Sequence, residues 1–378
     1  MKNKQTPARH GGDIYRNPVR HDFSINLNPL GMPERVKQRL RETVEDWARY
    51  PDTRCEALRS ALAAFHQIPA DWILCSNGAA DLIYQLVRTL QPKQALLLAP
   101  GFAEYEQALL QADCEIRYVR LKPENRFLPD MRQFCEAVTP DTDLVFFCNP
   151  NNPTGHAVPK DQILDLAAHC QETGTRLILD ECFCDLLDDP EMFSVVSEAE
   201  QFSNLFILRA FTKTHAMAGL RLGYGICADQ ELLQKLILGR QPWSISVPAQ
   251  EAGCAALGET NYLSEARELL KTGRAYLTRE LRRLGFRVYD SDINFILFFY
   301  EEESGPLYLY EACLKRGVLL RDCSNFTGLS YGYYRVCVSR PEENEILVHT
   351  LEQILSDIRK QAKEKADHEL ISDHPCGR

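Results

Sequence analysis

The sequence predicts an α/β protein: a mostly parallel sheet flanked by helices, followed by a smaller α+β domain. Three observations carry that prediction. Between residues 72 and 240 short apolar runs of strand type alternate with helix-periodic stretches, the pattern of βαβ units. The most reactive polar residues each follow one of those runs, where open α/β sheets bind their ligands. Beyond residue 261 the alternation gives way to a long helix and a second set of short strands.

The elements follow in chain order. Residues 1–45 read as an N-terminal arm that belongs with the small domain or reaches a partner. Residues 72–75 form the first strand. A helix at 79–90 places Leu82, Ile83, Leu86, Val87 and Leu90 on one face. Further strands fall at 95–98, 116–119, 144–148, 177–179, 205–208 and 223–227, with helices at 102–111 and 160–172 between them. The second set comprises a helix from 261 to about 284. Strands at 295–299, 318–320 and 334–338 accompany a helix at 307–315 and a last helix from 342 to about 363. The expected domains are 46–270, the large one, and 271–366, the small C-terminal one. Residues 367–378 form a polar, frayed tail.

Composition narrows the function. The chain has 378 residues, 45% apolar and 25% charged, which is ordinary for a globular protein with ample core. A net charge of -10 with no basic run argues against nucleic acid. Fourteen cysteines include no C-x-x-C pair; the closest two are Cys182 and Cys184. Many lie in apolar strand runs, so buried reduced thiols are expected and a metal site is not. Residues 1–20 lack the apolar core of a signal peptide, and no stretch approaches the roughly 18 apolar residues of a membrane span. The expected location is the cytoplasm.

The most informative stretch runs from Ala210 to Gly225 and contains Thr212, Lys213 and Arg221. Upstream lie Asn149-Pro150-Asn151-Asn152-Pro153-Thr154-Gly155 and Leu177-Ile178-Leu179-Asp180-Glu181. Together they supply an amine, a carboxylate, an amide and a guanidinium. Those groups hold pyridoxal 5'-phosphate: a lysine for the Schiff base and a carboxylate for the pyridinium nitrogen. By itself Asp180 reads as a helix N-cap and Lys213 as a solvated surface residue; their joint order favours the cofactor. Ser76-Asn77-Gly78-Ala79-Ala80 leads from a strand into a helix whose free N–H groups suit a phosphate.

These motifs resemble the fold-type I PLP-dependent transferases over nearly the whole chain. The resemblance implies a seven-stranded large-domain sheet and a homodimer. It makes Lys213 the cofactor-linking lysine, Asp180 the partner of the ring nitrogen and Asn152 the donor to the ring 3-oxygen. Phe102 stacks on the ring, and Thr212, Arg221, Gly78, Ala79 and Ala80 surround the phosphate. Tyr50 reaches the phosphate of the neighbouring subunit, and Arg335 takes the substrate carboxylate, which suits its planar fork.

Within that superfamily the chain is similar to the threonine-phosphate decarboxylases of cobalamin synthesis. Phe183 stands where histidinol-phosphate aminotransferases usually keep a tyrosine. His10-Gly11-Gly12-Asp13, the run from Phe23 through Asn28 to Gly31, Pro100-Gly101-Phe102-Ala103-Glu104-Tyr105 and Leu320-Arg321 through Leu329 match the decarboxylases better. The resemblance implies a substrate phosphate held by His10, Gly11, Asn28 and Arg321, with Asn152 and Arg335 also on the substrate. Asp13 and Ser246 depart from the asparagines expected there, which bears on phosphothreonine against phosphoserine. Three classes share the frame. One is a carboxy-lyase acting on L-threonine O-3-phosphate or L-serine O-phosphate, the former giving aminopropanol phosphate. Another is histidinol-phosphate aminotransferase, and the third a PLP-binding protein without catalysis. Intact Lys213 and the lack of an appended DNA-binding segment disfavour the third.

Overall fold

The computed structural model describes residues 10–301, 305 and 308–372, with side chains as far as residue 360. The first described element, strand β1 (His21–Asp22), stands in the arm, and helix α1 (Glu34–Glu42) and helix α2 (Glu56–His66) follow. Strands β2 (Ile73–Ser76), β3 (Gln94–Ala99), β4 (Glu115–Arg120), β5 (Leu144–Cys148), β6 (Arg176–Asp180), β7 (Leu205–Ala210) and β8 (Gly223–Ile226) make one sheet. Between them lie α3 (Ala79–Leu90), α4 (Ala103–Gln111), α5 (Met131–Ala137), α6 (Lys160–Glu172) and the single turn α7 (Phe211–Thr214). After β8 come α8 (Gln230–Gly239), α9 (Val247–Leu257) and α10 (Tyr262–Arg283).

The large sheet has seven strands in the order β2-β8-β7-β6-β5-β3-β4. Adjacent strands from β7 to β4 pair in parallel, whereas β8 runs antiparallel to both β7 and β2. The near-continuous apolar reading of β5, LVFFC, has a physical reason: every one of its residues is buried, because helices cover both faces. Val145 and Phe147 face one apolar core, Leu144 and Phe146 the other. Full burial of such side chains contributes roughly 1.5–3 kcal/mol each.

A second core surrounds a four-stranded antiparallel sheet, ordered β12-β13-β10-β9. Its strands are β9 (Arg287–Val288), β10 (Phe295–Phe299), β12 (Arg321–Asp322) and β13 (Tyr333–Cys337); α11 (Tyr308–Lys315), β11 (Val318–Leu319) and α12 (Pro341–Ser372) complete the unit. The arm is stitched to it: β1 pairs in parallel with β11, and Phe23 exchanges backbone bonds with Leu319 and Cys337. Farther along, α1 packs on α9 of the large unit, so residues 10–45 touch both.

Two expected boundaries move. Helix α10 is continuous through residue 270, where the sequence places a domain border; Leu270, Leu277 and Leu281 all join the second core. The tail expected from 367 is helical to Ser372, since α12 keeps a helix-favouring sequence that no proline or glycine interrupts. The expected helix start at 307 lies outside the described residues, as do residues 1–9 and 373–378. Of the described cysteines, all but Cys135 and Cys254 are buried, and none is in a disulfide. Among the described residues no cluster suits a metal ion, and no helix is long and apolar enough to cross a membrane.

Candidate active site

The carboxyl ends of β2, β3, β5, β6 and β7 deliver their following residues to one edge of the large sheet. Because β8 is antiparallel, the chain leaves β7 and returns along β8 at that same edge, so Lys213 and Arg221 share one connection. A cavity of ≈ 380 Å³ opens there. The second unit closes its far side with Arg321, Phe326 and Arg335.

Lys213 sits in α7 immediately after β7 and lines the cavity. Burial, with the Arg335 and Arg221 guanidiniums nearby, pulls its ammonium down to about 8. Asp180, buried at the end of β6, accepts from Tyr105 Oη at 2.6 Å and from the Cys182 amide at 2.9 Å. It has no cationic side-chain partner among the described residues, although a buried carboxylate is costly without one. A protonated ring nitrogen in the cavity would be that partner. Tyr105 lies flat on Phe146, ring centroids 4.9 Å apart, and burial together with Asp180 keeps its hydroxyl protonated.

Behind these residues Arg209 of β7 bridges Glu181 Oε2 at 2.8 Å and Asp185 Oδ1 at 2.6 Å. Burial pushes Glu181 up; for Asp185 burial is outweighed by Arg209 and His66, which hold it down. The triad ties the ends of β6 and β7 together one residue away from Asp180 and four from Lys213.

The phosphate side is built on the start of α3. Gly78 stands at φ +84°, and a Cβ there would lie 2.7 Å from Nη2 of Arg221. Gly223 brings β8 equally close, for its Cβ would meet the Ala79 amide nitrogen at 2.5 Å. Glycine at both positions lets Arg221 and the free N–H groups of a twelve-residue helix converge. Ala79, Ala80, Thr212 and Arg221 line the cavity, with Phe102 beside them. Gly78 itself is behind Arg221 rather than on the wall. A buried carboxylate awaiting a cation, an amine of lowered basicity and an anion cradle at the helix terminus fit pyridoxal 5'-phosphate.

On the opposite wall Arg335 donates through Nη1 to Asn152 Oδ1 and through Nη2 to the Ser24 carbonyl at 3.1 Å. Its guanidinium also lies 5.0 Å from the Phe295 ring, on which Phe183 packs edge-on. Burial first, and Arg321 with it, lowers Arg335 to about 10, still protonated at neutral pH. Arg321 donates to the Asp322 carbonyl and to Asn325 Oδ1 at 2.9 Å, and it covers Phe326. His10 and Gly11 reach the cavity from the arm.

Three further sequence expectations change. Asn28 does not line the cavity: its Nδ2 donates to the Thr214 carbonyl at 2.8 Å, its Oδ1 accepts from Leu30, and its amide donates to the Lys213 carbonyl. It holds the lysine loop instead. Asn26, two residues earlier, lines the cavity with a buried side-chain oxygen that has no partner among the described residues. Ser246 caps α9 by accepting from the Ala249 amide, and Asp13 pairs with Arg16; neither borders the cavity. Tyr50 is 80% exposed and lies outside its own cavity, as expected of a residue that serves a neighbouring subunit, with its ring tilted against Trp243 at a centroid distance of 4.8 Å. Tyr105, Glu104 and Asn26 went unassigned in the sequence. Tyr105 could have been found from its place one helical turn after Phe102.

The description "Aminotransferase class I and II" matches residues 21–351. A threonine-phosphate decarboxylase from Salmonella typhimurium is 36% identical over 339 residues, covering 89% of this chain and 92% of that protein. Histidinol-phosphate aminotransferase 2 from Ralstonia nicotianae is 34% identical over 343 residues, 90% of each chain. Among solved structures, the histidinol-phosphate aminotransferase from Clostridium acetobutylicum superposes with a TM-score of 0.82 at 29% identity, covering 89% of this chain and 99% of that one. The L-threonine-O-3-phosphate decarboxylase from Porphyromonas gingivalis gives 0.79 at 25% identity, covering 88% and 99%.

Proposed function

The chain belongs to the class I and II aminotransferase family, and from that premise we propose that it decarboxylates L-threonine O-3-phosphate to aminopropanol phosphate, the linker of the cobalamin nucleotide loop. It is an enzyme of the fold-type I class, and its cofactor is pyridoxal 5'-phosphate. The observation that carries the substrate reading is the presence of three arginines on one cavity, Arg221, Arg321 and Arg335. Arg221 takes the cofactor phosphate. That leaves two guanidiniums for a substrate with two anionic groups, a carboxylate and a phosphate.

Bound in the cavity, the cofactor supplies a cationic ring that accepts the electron pair left by departing carbon dioxide. Asp180 keeps the ring nitrogen protonated, held in place by Tyr105 and the Cys182 amide. Arg335, anchored on Asn152 and the Ser24 carbonyl, would hold the substrate carboxylate and orient its bond to Cα for cleavage. Lys213 returns a proton to Cα; an ammonium near 8 is charged at neutral pH and parts with its proton readily. Arg321, His10, the Gly11 backbone and Asn26 hold the substrate phosphate. Phe102 would pack on the cofactor, Asn152 would donate to its 3-oxygen, and Thr212, Ala79 and Ala80 would complete its phosphate site, with Gly78 making room for Arg221.

A histidinol-phosphate aminotransferase would use the same arginines in turn, for the phosphate of a donor that has no carboxylate and for the carboxylate of a keto-acid acceptor. Product analysis separates the readings: purified holoenzyme given O-phospho-L-threonine should release carbon dioxide and form no keto acid. Conversion of histidinol phosphate to its ketone, with a keto-acid acceptor turned into the amino acid, and no carbon dioxide from either phospho-amino acid would reverse the assignment. L-Serine O-phosphate lacks one methyl group, a difference that a pocket discriminates by only about 1–3 kcal/mol. Arg321→Ala should lower kcat/KM for both phospho-amino acids by roughly 10- to 100-fold, the worth of a charged hydrogen bond. Unchanged turnover would remove Arg321 from the clamp.

We place the enzyme in the cytoplasm as a homodimer, with no nucleic-acid partner. Tyr50 and Trp243 form an exposed aromatic pair, and Trp47, Ile237 and Leu238 are exposed as well, the last 86% exposed. A surface of that kind asks for a partner, and a second copy would receive Tyr50 at its cofactor phosphate. Light scattering should give twice the mass of the chain, and Tyr50→Ala should weaken cofactor retention. A fully active monomer at nanomolar concentration would refute the shared site.

A further inference from the structure

The first turn of α4 carries Glu104, which lines a cavity whose proposed substrate is an anion, and Glu106 two residues on. Bare carboxylates there would repel a phosphate. Neither is bare. Glu104 lines the cavity with both oxygens engaged: Oε2 accepts from Tyr84 Oη at 2.7 Å, and Oε1 lies 3.1 Å from His10 Nε2. The His10 contact, and after it the Tyr84 bond, hold Glu104 below its ordinary range despite burial. Burial and Glu104 push Tyr84 up to about 12, so it stays a donor. Glu106 repeats the arrangement. Its Oε2 accepts from Thr327 Oγ1 at 2.7 Å, and Tyr118 hydrogen-bonds to it.

The two glutamates thus grip different segments. His10 and Gly11 belong to the arm, whose next attachment is the Gly12 amide on Ser24 Oγ at 2.7 Å. Ser24 in turn receives Arg335 on its carbonyl. Thr327 follows Phe326 on the segment that begins with Arg321. Both segments carry cations to the cavity, and neither belongs to the large sheet.

We propose that Glu104 and Glu106 are positioning residues for the substrate phosphate: one turn of α4 fastens both cation-bearing segments, and Glu104 holds His10 by Nε2, which leaves its Nδ1 for the anion. The proposal rests on reading the substrate as a phosphate monoester, a property shared by phosphothreonine and histidinol phosphate.

The test uses holoenzyme of wild type, E104Q, E106Q and T327V. KM and kcat for O-phospho-L-threonine are measured beside the competitive Ki of L-threonine, which lacks the phosphate. E104Q should raise KM by about tenfold, as befits one charged hydrogen bond, with kcat within about twofold and the Ki of L-threonine unchanged. E106Q and T327V should move the same way by roughly threefold, with faster amide hydrogen exchange at 326–328, whereas E104Q should speed exchange at Gly11 and Gly12. Equal weakening of both ligands, or unchanged KM with unchanged exchange, overturns the proposal. If the wild type transaminates histidinol phosphate instead, the same comparison is made between histidinol phosphate and histidinol. The function reading then fails, while a selective loss for the phosphorylated ligand still supports the positioning role.

Discussion

Lys213→Ala is expected to abolish turnover and the absorbance of the lysine-linked cofactor, while the cofactor still binds noncovalently through the Arg221 side of the cavity. Loss of proton transfer to Cα alone removes roughly 10²- to 10⁴-fold, and loss of the covalent link adds to it. Sodium borohydride should fix the cofactor to wild type and not to the variant. A variant that keeps a reducible adduct and wild-type rates would transfer the role to another amine. The environment of Lys213 adds a pH signature. Only a neutral amine attacks an aldehyde, and this amine loses its proton near 8 rather than near 10.4. Reloading of cofactor-free protein should therefore accelerate as pH rises through about 8 and level off above it. A rise that continues toward pH 10 would mean that burial and the two arginines do not act on the amine as the geometry implies.

Asp180→Asn should fold almost normally and lose most activity. An amide at this position still accepts from the Cys182 backbone, and the Tyr105 hydroxyl can turn from donor to acceptor. What disappears is the negative charge that holds a proton on the ring nitrogen. Breaking a buried charge pair by neutralising one member costs about 3–5 kcal/mol, roughly 10²- to 10⁴-fold in rate. A steady-state rate measurement and a thermal unfolding midpoint separate the two effects. Wild-type rates with a native midpoint would contradict the role given to Asp180.

The strands of the large sheet were legible because fully buried parallel strands leave continuous apolar runs, and β5 coincides with its expected span. Helix α9 left no such trace. Its sequence, VPAQEAGCAAL, is rich in small residues that pack closely on α1 and α2 without an apolar stripe. Within the site, residues that follow a strand end were legible from order alone, which explains Lys213, Asp180, Asn152 and Arg221. Asn26 and Asn28 were not separable in sequence, since which one faces the cavity depends on the turn that Asn28 makes with Leu30 and Gly31. The bond between Tyr105 and Asp180 joins residues 75 positions apart and leaves no local periodicity to read. The same holds for the grip of Glu104 on His10.

The buried thiols give the enzyme an internal clock. Eleven of the thirteen described cysteines are buried, and burial pushes Cys148, Cys170, Cys182 and Cys313 up, so these four carry little thiolate in the native state. At Cys170 and Cys313, which are buried away from the cavity, an alkylating reagent must therefore wait for the structure to open, and the time course of their labelling reports opening rather than intrinsic reactivity. Once open, a single molecule releases many thiols together. Under oxidising conditions those thiols would cross-link before refolding, and the working lifetime of the protein would be governed by its unfolding rate rather than by its equilibrium stability.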